Sequence, residues 1–427
     1  MTTPDLRSDN SWPALLDAAP ESQGIDLAAV RRYRLDRVRA EMASRDIGAL
    51  ILSDAVNIRY ATGTRNMQVF TSRNAPSRYL LLTADQSILY EFTGCEHLAE
   101  GFDTVDEVRT ASTASFVAAG ADIAQREKDW AGHMVATINE LLGPDRHGSG
   151  HKVGIERMNA GAALALTEGG LTLVDAQEPV EMARAIKSAG EVACIVASLR
   201  MTERAVGALR AMIRPGITEN ELWSILHREV IAGNGDYCET RLLNSGPRSN
   251  PWFQEAASRV IGADELVALD TDVVGCHGYY SDFSRTFHVG PNAPTAHQRE
   301  LYGLAYEQVH HNMGIIGPGV TFREYSNKAW DIPDRFHKNR YYLSAHGCGM
   351  TGEYPYLYHH ADFGNPPHDG AGYDGVIEPG MTLCVESYMG AANGSEGVKL
   401  EQQILVTETG TELLSKFPFE EDLLAPY

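Results

Sequence analysis

The sequence predicts a two-domain α/β (α+β) protein that begins with a short arm. Its 427 residues are enough for two domains, and helical and strand patterns alternate along the chain. Two segments, Ile213–Glu221 and Ile316–Glu324, also resemble each other, because each has a Pro-Gly turn followed by Thr-x-x-Glu. Such a repeat predicts that the second domain has two halves related by a pseudo-twofold axis, with chance similarity of common turns as the alternative.

The arm is predicted at residues 1–22 and the first domain at residues 23–180. Apolar residues that recur every three to four positions indicate the helices, and short apolar runs indicate the strands. In order, the expected elements are a helix at Asp26–Asp46, a buried strand at Ala49–Leu52, a hairpin at Tyr79–Thr83 and Ser87–Phe92, a helix at Ala121–Leu142 and a strand at Lys152–Glu156. This domain shows no obvious cluster of catalytic residue types.

The second domain is predicted at residues 181–427. Two of its helices begin at Ser188-x-x-Glu191 and Thr218-x-x-Glu221, which are capping-box patterns. Its expected strands are Leu266–Val274, the returning strand Tyr280–Phe287, Met381–Glu386 and Val398–Ile404.

Composition excludes several classes of protein. Acidic residues outnumber basic ones by 57 to 36, which argues against a nucleic-acid or anionic-membrane partner because both need a basic surface. The longest apolar runs are far shorter than a membrane span. The six cysteines form no C-x-x-C pair, and no secretory signal is visible, so we expect a cytoplasmic protein with reduced thiols.

Ionisable residues lie inside several of the apolar strands of the second domain. If Leu266–Val274 is one strand, the carboxylates two apart on it point to the same face. The full set is Asp270, Asp272, Asp282, the glycine-flanked His346, Glu386 at the end of its strand, and Glu401. Any one of these acids alone is more often a strand-end or surface residue. Together, buried carboxylates would repel one another, and two bridged divalent cations would neutralise them. Oxygen ligands with one imidazole suit Mn, Fe, Co or Zn.

Five motifs in order, LDTD, SDFSRTF, HGCG, CVES and KLEQQ, resemble those of the pita-bread metallopeptidase superfamily, which includes methionine aminopeptidase, aminopeptidase P, prolidase and creatinase. The resemblance covers roughly residues 185–415. It implies a creatinase-like N-terminal domain, a C-terminal pita-bread domain and a homodimer. It also implies that two metal ions are held by Asp272, Asp282, His346, Glu386 and Glu401.

Peptidases of this superfamily carry two further histidines that hold the scissile peptide. The matching stretches here, Ser245–Gln254 and Met350–Pro355, contain no histidine. A peptidase activity would therefore lack two polarising groups.

Two segments, Ala49–Val69 and Glu239–Glu255, resemble the dimethylsulfoniopropionate lyases of the DddP type, and this likeness extends over both domains. It implies Asp270 as a sixth metal ligand, with Fe or Zn favoured. It also implies β-elimination of a small sulfonium zwitterion to dimethyl sulfide and acrylate. Aromatic faces hold such a cation, and Trp252 and Tyr341 are the candidate substrate-binding residues.

One position departs from this lyase pattern. The aspartate that serves as the proposed base in those lyases is Gly352 here, so the base is left open among Tyr341, Glu353 and a metal-bound hydroxide. The change also permits a different substrate. The alternatives are a dinuclear-metal hydrolase of amide bonds, such as an Xaa-Pro peptidase or a compatible-solute hydrolase, and a non-catalytic homologue that binds a small ligand.

Overall fold

The computed structural model describes residues 12–17, 19–66, 77–143, 150–364 and 372–425. The chain divides into two compact units, the first ending at Arg184 and the second starting at Ala185, whereas the sequence places this boundary between residues 180 and 181. Half of the predicted arm, residues 1–11, lies outside the described residues. The part that is described includes helix α1 (Trp12–Asp17).

The first unit is built around a mixed sheet. Its other helices are α2 (Leu27–Ser44), α3 (Ala55–Thr62), α4 (Phe116–Ala119), α5 (Ile123–Leu142), α6 (Ala160–Glu168) and α7 (Gln177–Ala185, which ends at the boundary). Its strands are β1 (Ala49–Leu52), β2 (Tyr79–Thr83), β3 (Ser87–Glu91), β4 (Glu107–Thr110), β5 (Lys152–Ile155) and β6 (Thr172–Asp175). Among the described residues the sheet order is β4-β3-β2-β1-β5-β6.

The predicted elements of this unit are confirmed, with ends shifted by a few residues. Asp26 caps α2 by accepting a hydrogen bond from the Ala29 amide at 2.9 Å. Gly143 ends α5 with a φ of +74°, which glycine adopts without steric cost. Strand β1 is buried along its whole length because it lies inside the sheet.

Among the described residues of the second unit, all the α-helices except the last begin at capping boxes. The helices of this unit are α8 (Ala189–Met212), α9 (Glu219–Ala232), α10 (Ala296–Ile315), α11 (Phe322–Lys328) and α12 (Glu421–Leu424). The capping boxes predicted at Ser188 and Thr218 are both formed, and Thr295 and Thr321 each form another. Thr218 and Thr321 also each make an isolated antiparallel bridge, with Val260 and Val376. The two similar segments therefore have the same local structure, as expected for duplicated halves.

Three sheets run through the described residues of the second unit. The strands are β7 (Tyr237–Cys238), β8 (Leu243–Ser245), β9 (Leu266–Asp270), β10 (Val273–Val274), β11 (Tyr280–Ser281), β12 (Ser284–His288), β13 (Leu343–Cys348), β14 (Gly352–Tyr358), β15 (Thr382–Met389), β16 (Val398–Thr407) and β17 (Gly410–Leu413). Their orders are β11-β10-β7, β12-β9-β8 and β14-β13-β15-β16-β17.

The prediction of one continuous strand at Leu266–Val274 is wrong. The chain leaves the β conformation at Asp272, whose φ is +39°, so Asp270 and Asp272 do not lie two apart on one strand. The returning strand is interrupted opposite this break, between β11 and β12. The buried Thr271 side chain fills this gap, with its hydroxyl 3.0 Å from the Ser281 carbonyl oxygen and 3.2 Å from that of Phe283.

Strand β15 runs three residues past Glu386, so this glutamate lies inside its strand and does not end it. In the described part of the chain, no helix combines the length and the apolar character needed to cross a membrane.

Candidate metal centre

The six predicted ligands lie on four strands and at two strand breaks of the second unit. Asp270 ends β9, and Asp272 and Asp282 occupy the two strand breaks. The other three lie on adjacent strands of one sheet, with His346 on β13, Glu386 on β15 and Glu401 on β16. Glu386 and Glu401 face each other directly across the β15–β16 ladder. Like charges in such positions repel, so the arrangement needs a cation between them.

The structure brings these side chains into two overlapping groups. Ligand atoms of Asp270, Asp272 and Asp282 lie within 4.8 Å of one another. A second group within the same limit comprises Asp282, His346, Cys384 and Glu401. Asp282 belongs to both groups, as a carboxylate bridging two ions would. Glu386 joins the second group through its Oε1, which lies 3.7 Å from His346 Nε2.

The donor atoms fit a divalent cation. His346 Nε2 lies 3.5 Å from Glu401 Oε1 and 3.7 Å from Asp282 Oδ2. Ligands about 2.0–2.2 Å from one tetrahedral ion are roughly 3.3–3.6 Å apart, so these atoms could share an ion. Among the described residues, Glu386 Oε1 and Glu401 Oε1 are buried without a hydrogen-bond partner. A buried unpaired carboxylate oxygen is costly, and a bound cation would remove that cost.

The other carboxylate oxygens of Glu386 and Glu401, the Oε2 atoms, contact Lys399, a fully buried lysine in the cluster. Its Nζ is 2.9 Å from Glu386 Oε2, 3.0 Å from Glu401 Oε2 and 3.1 Å from Asp270 Oδ2. It also donates to the Ser284 hydroxyl oxygen at 2.8 Å. Lys399 thus holds each glutamate so that Oε1 faces His346.

Burial and mutual repulsion set the electrostatics of the cluster. Burial raises the pKa of Asp270, Asp272 and Asp282, and the negative charge of Glu401 raises it further. Burial also raises the pKa of Glu386 to about 7, although Lys399 opposes this shift. These carboxyl groups retain protons that divalent cations would replace.

The pKa values of the other two groups, Glu401 and His346, are set by their partners. Burial alone would raise the pKa of Glu401, but Lys399 and His346 bring it below its ordinary value. Burial alone would lower the pKa of His346, but Glu401, whose Oε1 lies 3.5 Å from His346 Nε2, and the charge of Glu386 raise it to about 10. Lys399 and His346, the two basic side chains in contact with Glu401, therefore both stabilise its negative charge.

Trp252 and Tyr341, the predicted substrate-binding residues, lie beside Lys399. The lysine Nζ is 5.3 Å from the centre of the Tyr341 ring and 5.9 Å from that of the Trp252 ring. Trp252 is buried, and its Nε1 has no hydrogen-bond partner among the described residues. The two aromatic rings and this free donor therefore border the acidic cluster.

Glu353 and Gly352 project from opposite faces of β14. The Glu353 carboxylate is buried against Lys187, with Oε1 2.5 Å from Nζ, so a charge-assisted hydrogen bond engages it. A Cβ at Gly352 would instead meet the His346 ring, at 3.9 and 4.0 Å, as its nearest described neighbours. The position at which the lyases carry an aspartate therefore faces the metal centre and has room for a side chain.

Sequence reasoning missed four contributors to this site. They are Lys399, Cys384, Thr240, whose hydroxyl donates to Asp272 Oδ2, and Ser284, whose hydroxyl lies 2.6 Å from Asp270 Oδ1 and 2.7 Å from Glu401 Oε2. Strand periodicity could have identified the first two, because Lys399 and Cys384 precede Glu401 and Glu386 by two residues and so share their faces. Thr240 is far from Asp272 in sequence and carried no signal.

Comparisons with known proteins agree with this geometry. The model of metallopeptidase family M24 matches residues 193–408, and that of the creatinase/prolidase N-terminal domain matches residues 34–186. The dimethylsulfoniopropionate lyases DddP of Roseobacter denitrificans and Roseovarius nubinhibens are 35% and 33% identical to the chain, over 93% of it and 88% of their own lengths.

Solved structures show the same fold. An Xaa-Pro dipeptidase from Bacillus anthracis matches with a TM-score of 0.70 at 22% identity, and the prolidase from Pyrococcus horikoshii matches with 0.69 at 20%. Each match covers 91% of this chain and 99% of the other. The expected creatinase-like and pita-bread domains are thus confirmed, and the chain belongs to metallopeptidase family M24, as an enzyme of that metallopeptidase-like family with a creatinase/prolidase N-terminal domain.

Proposed function

We propose that this protein is a metal-dependent lyase that cleaves dimethylsulfoniopropionate, or a close zwitterion, to dimethyl sulfide and acrylate. The similarity to two DddP lyases over 93% of the chain carries this proposal. The peptidase structures, at 22% identity or less, support the fold alone.

The proposed cofactor is a pair of divalent metal ions, with Fe or Zn favoured over Mn or Co. Asp270, Asp272, Asp282, His346, Glu386 and Glu401 would hold them, supported by the two overlapping donor groups and the unpaired glutamate oxygens. When bound, such ions act as Lewis acids on the substrate carboxylate and make the neighbouring C–H more acidic.

The residues around the centre suit a small zwitterion. The Trp252 and Tyr341 rings offer faces to the sulfonium, and the free Trp252 N–H can donate to the carboxylate. In the elimination, a base removes the proton next to the carboxylate. The C–H electrons then form the double bond of acrylate while the C–S electrons leave with dimethyl sulfide, so one proton is released for each substrate.

Tyr341 is the better of the two side chains proposed as the base. Its ring borders the acidic cluster and lies 5.3 Å from the Lys399 ammonium. Burial and the charge of Glu386 raise the pKa of its hydroxyl well above the ordinary value, although Lys399 opposes the shift. The hydroxyl would therefore act as a base only when bound cations offset the neighbouring negative charges. Glu353 is engaged by Lys187 and lies on the other face of β14.

The test is to incubate metal-loaded protein with dimethylsulfoniopropionate and to measure dimethyl sulfide in the headspace and acrylate in solution. Equal yields of both that need metal are expected. Tyr341→Phe should lower kcat while leaving the metal content unchanged. No dimethyl sulfide from fully loaded protein would contradict the proposal.

A hydrolase is the second candidate, because the family model is that of a metallopeptidase. A panel of X-Pro dipeptides and cyclic amide solutes tests it under the same metal conditions. The lack of histidine at Ser245–Gln254 and Met350–Pro355 counts against it. If neither assay shows turnover but a zwitterion raises the melting temperature, a non-catalytic binding protein is the better description.

We further propose that the protein is a cytoplasmic homodimer whose partner is a small zwitterionic substrate, with no nucleic-acid or membrane partner. The scattered cysteines, all reduced and buried, and the acidic net charge support this setting. Light scattering coupled to size-exclusion chromatography tests the dimer, and fractionation of the native host tests the location.

A further inference from the structure

Cys384 lies in the candidate metal centre, although it belongs to none of the expected ligands. It stands on β15 two residues before Glu386, so both side chains leave the same face of the strand. In the β13–β15 ladder it is opposite His346. Its side chain is completely buried.

The Cys384 sulfur is close to three of the expected ligands. Sγ lies within 4.8 Å of ligand atoms of Asp282, His346 and Glu401. Glu401 Oε1 is one of the two buried carboxylate oxygens without a hydrogen-bond partner among the described residues. The thiol also packs against the buried Val274, Tyr280 and Cys348, so it lies at the point where this apolar cluster meets an imidazole and two carboxylates.

We propose that the Cys384 thiolate is a ligand of the cation held by Asp282, His346 and Glu401. This inference rests on the proposed metal centre and narrows the class of metal that it takes. A thiolate is a soft ligand and favours Zn²⁺, Fe²⁺ or Co²⁺ over Mg²⁺ or Mn²⁺. As the sulfur–metal bond forms, the S–H bond breaks and its proton goes to solvent.

In the absence of metal, the Cys384 thiol donates a hydrogen bond to the Asp282 backbone oxygen, with the sulfur 3.8 Å from that oxygen. The thiol proton therefore has a partner in the metal-free protein. A divalent cation at this position would replace the proton, because a coordinating thiol is deprotonated outright.

Cys348 provides a matched control in the same sheet. It is also completely buried, but its sulfur accepts a hydrogen bond from Gln403 Nε2 at 3.1 Å and is not in either donor group. Replacing it tests the loss of a buried thiol without the loss of the proposed ligand.

The experiment is to load the full chain with Co²⁺ and to record its absorption spectrum and cobalt content. The parent and Cys348→Ser should show a sulfur-to-cobalt charge-transfer band in the near ultraviolet. Cys384→Ser should lack this band while retaining bound cobalt. A parent without the band, a band that persists in Cys384→Ser, or a chain that binds no cobalt would overturn the proposal.

X-ray absorption of the zinc-loaded parent needs no variant. It therefore tests the proposal even if the Cys384→Ser chain fails to fold. One sulfur at about 2.3 Å from zinc is expected, and a shell of only nitrogen and oxygen would overturn the proposal. Neither measurement depends on turnover. A chain that shows the sulfur ligand but releases no dimethyl sulfide would refute the lyase function and leave this ligand standing.

Discussion

At the scale of single residues, Lys399 gives the centre a permanent positive charge. With metal bound and all five carboxylates ionised, their negative charge would equal the positive charge of two divalent cations and one lysine, and the proposed Cys384 thiolate would add one further negative charge. Because Lys399 contacts only one oxygen of each glutamate, the other oxygens stay available. The lysine therefore stabilises the metal-free centre without occupying the positions proposed for the ions.

Lys399→Met should destabilise the metal-free protein more than the metal-loaded protein. Removing one partner from a buried ion pair costs about 3–5 kcal/mol, and bound cations should offset part of that loss. Urea unfolding with and without chelator measures the loss of unfolding free energy in the metal-free and the metal-loaded protein. Lys399→Arg is the control that keeps the charge. By linkage, the Met variant should also bind metal more tightly. An equal loss of stability in the metal-free and the metal-loaded protein would show that Lys399 does not act as a counter-ion to the metal ligands.

Asp282→Ala should remove both metal ions and abolish activity, because Asp282 is shared by the two donor groups. Elemental analysis of the purified variant gives the stoichiometry. Asp374→Asn is a suitable control, since that side chain is 83% exposed. Full metal content in Asp282→Ala would refute the ligand assignment.

Gly352→Asp should raise lyase activity, by about tenfold or more if it supplies the missing base. The new side chain would point toward His346 and has room to do so, since a Cβ there makes only ordinary contacts. The ratio of kcat values for the variant and the parent measures the effect, and Gly352→Asn controls for size. A rise in both variants, or in neither, would show that the base is another group.

At the scale of elements, interruptions of the strands place the acids. Asp272 and Asp282 occupy the points at which two paired strands leave one sheet and enter another. An uninterrupted hairpin would send alternate side chains to opposite faces. The breaks instead let both acids approach Asp270, so this local irregularity creates one of the two donor groups.

Lys187 and Glu353 should act as a structural pair that fixes β14. Lys187→Met and Glu353→Leu should each destabilise the protein by about 3–5 kcal/mol, and the double variant should recover part of the loss because no buried charge is then left unpaired. Urea unfolding of the three variants measures this. If Glu353 were the base, Glu353→Gln would lose activity without a matching loss in Lys187→Met.

At the scale of the whole molecule, metal content should control how stability depends on pH. The folded-state pKa of Glu386 is raised to about 7 and that of His346 to about 10. Both groups therefore bind protons more tightly when the chain is folded. Their contributions are lost as pH rises, for Glu386 between about 4.5 and 7 and for His346 between about 6.5 and 10. The pKa of Glu401 is lowered, so the contribution of this group to stability is lost as the pH falls below about 4.5.

The metal-free protein should thus be less stable near pH 9 than near pH 6, by the linkage of proton binding to folding. Metal ions replace the bound protons, so the loaded protein should show a weaker dependence and a higher melting temperature. Thermal unfolding of chelated and reloaded samples across this range measures both. A chelated protein that gains stability as pH rises would contradict these pKa shifts.

The sequence by itself determined the fold class, the long helices and several strands, and six of the ionisable residues that the site brings together. These follow from local rules: apolar periodicity, capping boxes and the cost of carboxylates inside apolar strands. It also indicated the family, because the ligand-type residues recur in a fixed order along the chain.

Only the tertiary structure decided how those residues meet. The strand breaks at Asp272 and Asp282, the burial of Lys399 against three carboxylates and the engagement of Glu353 by Lys187 all depend on contacts between segments far apart in sequence. Local patterns cannot specify such contacts, because the energy of a buried charge depends on which partners the fold brings to it.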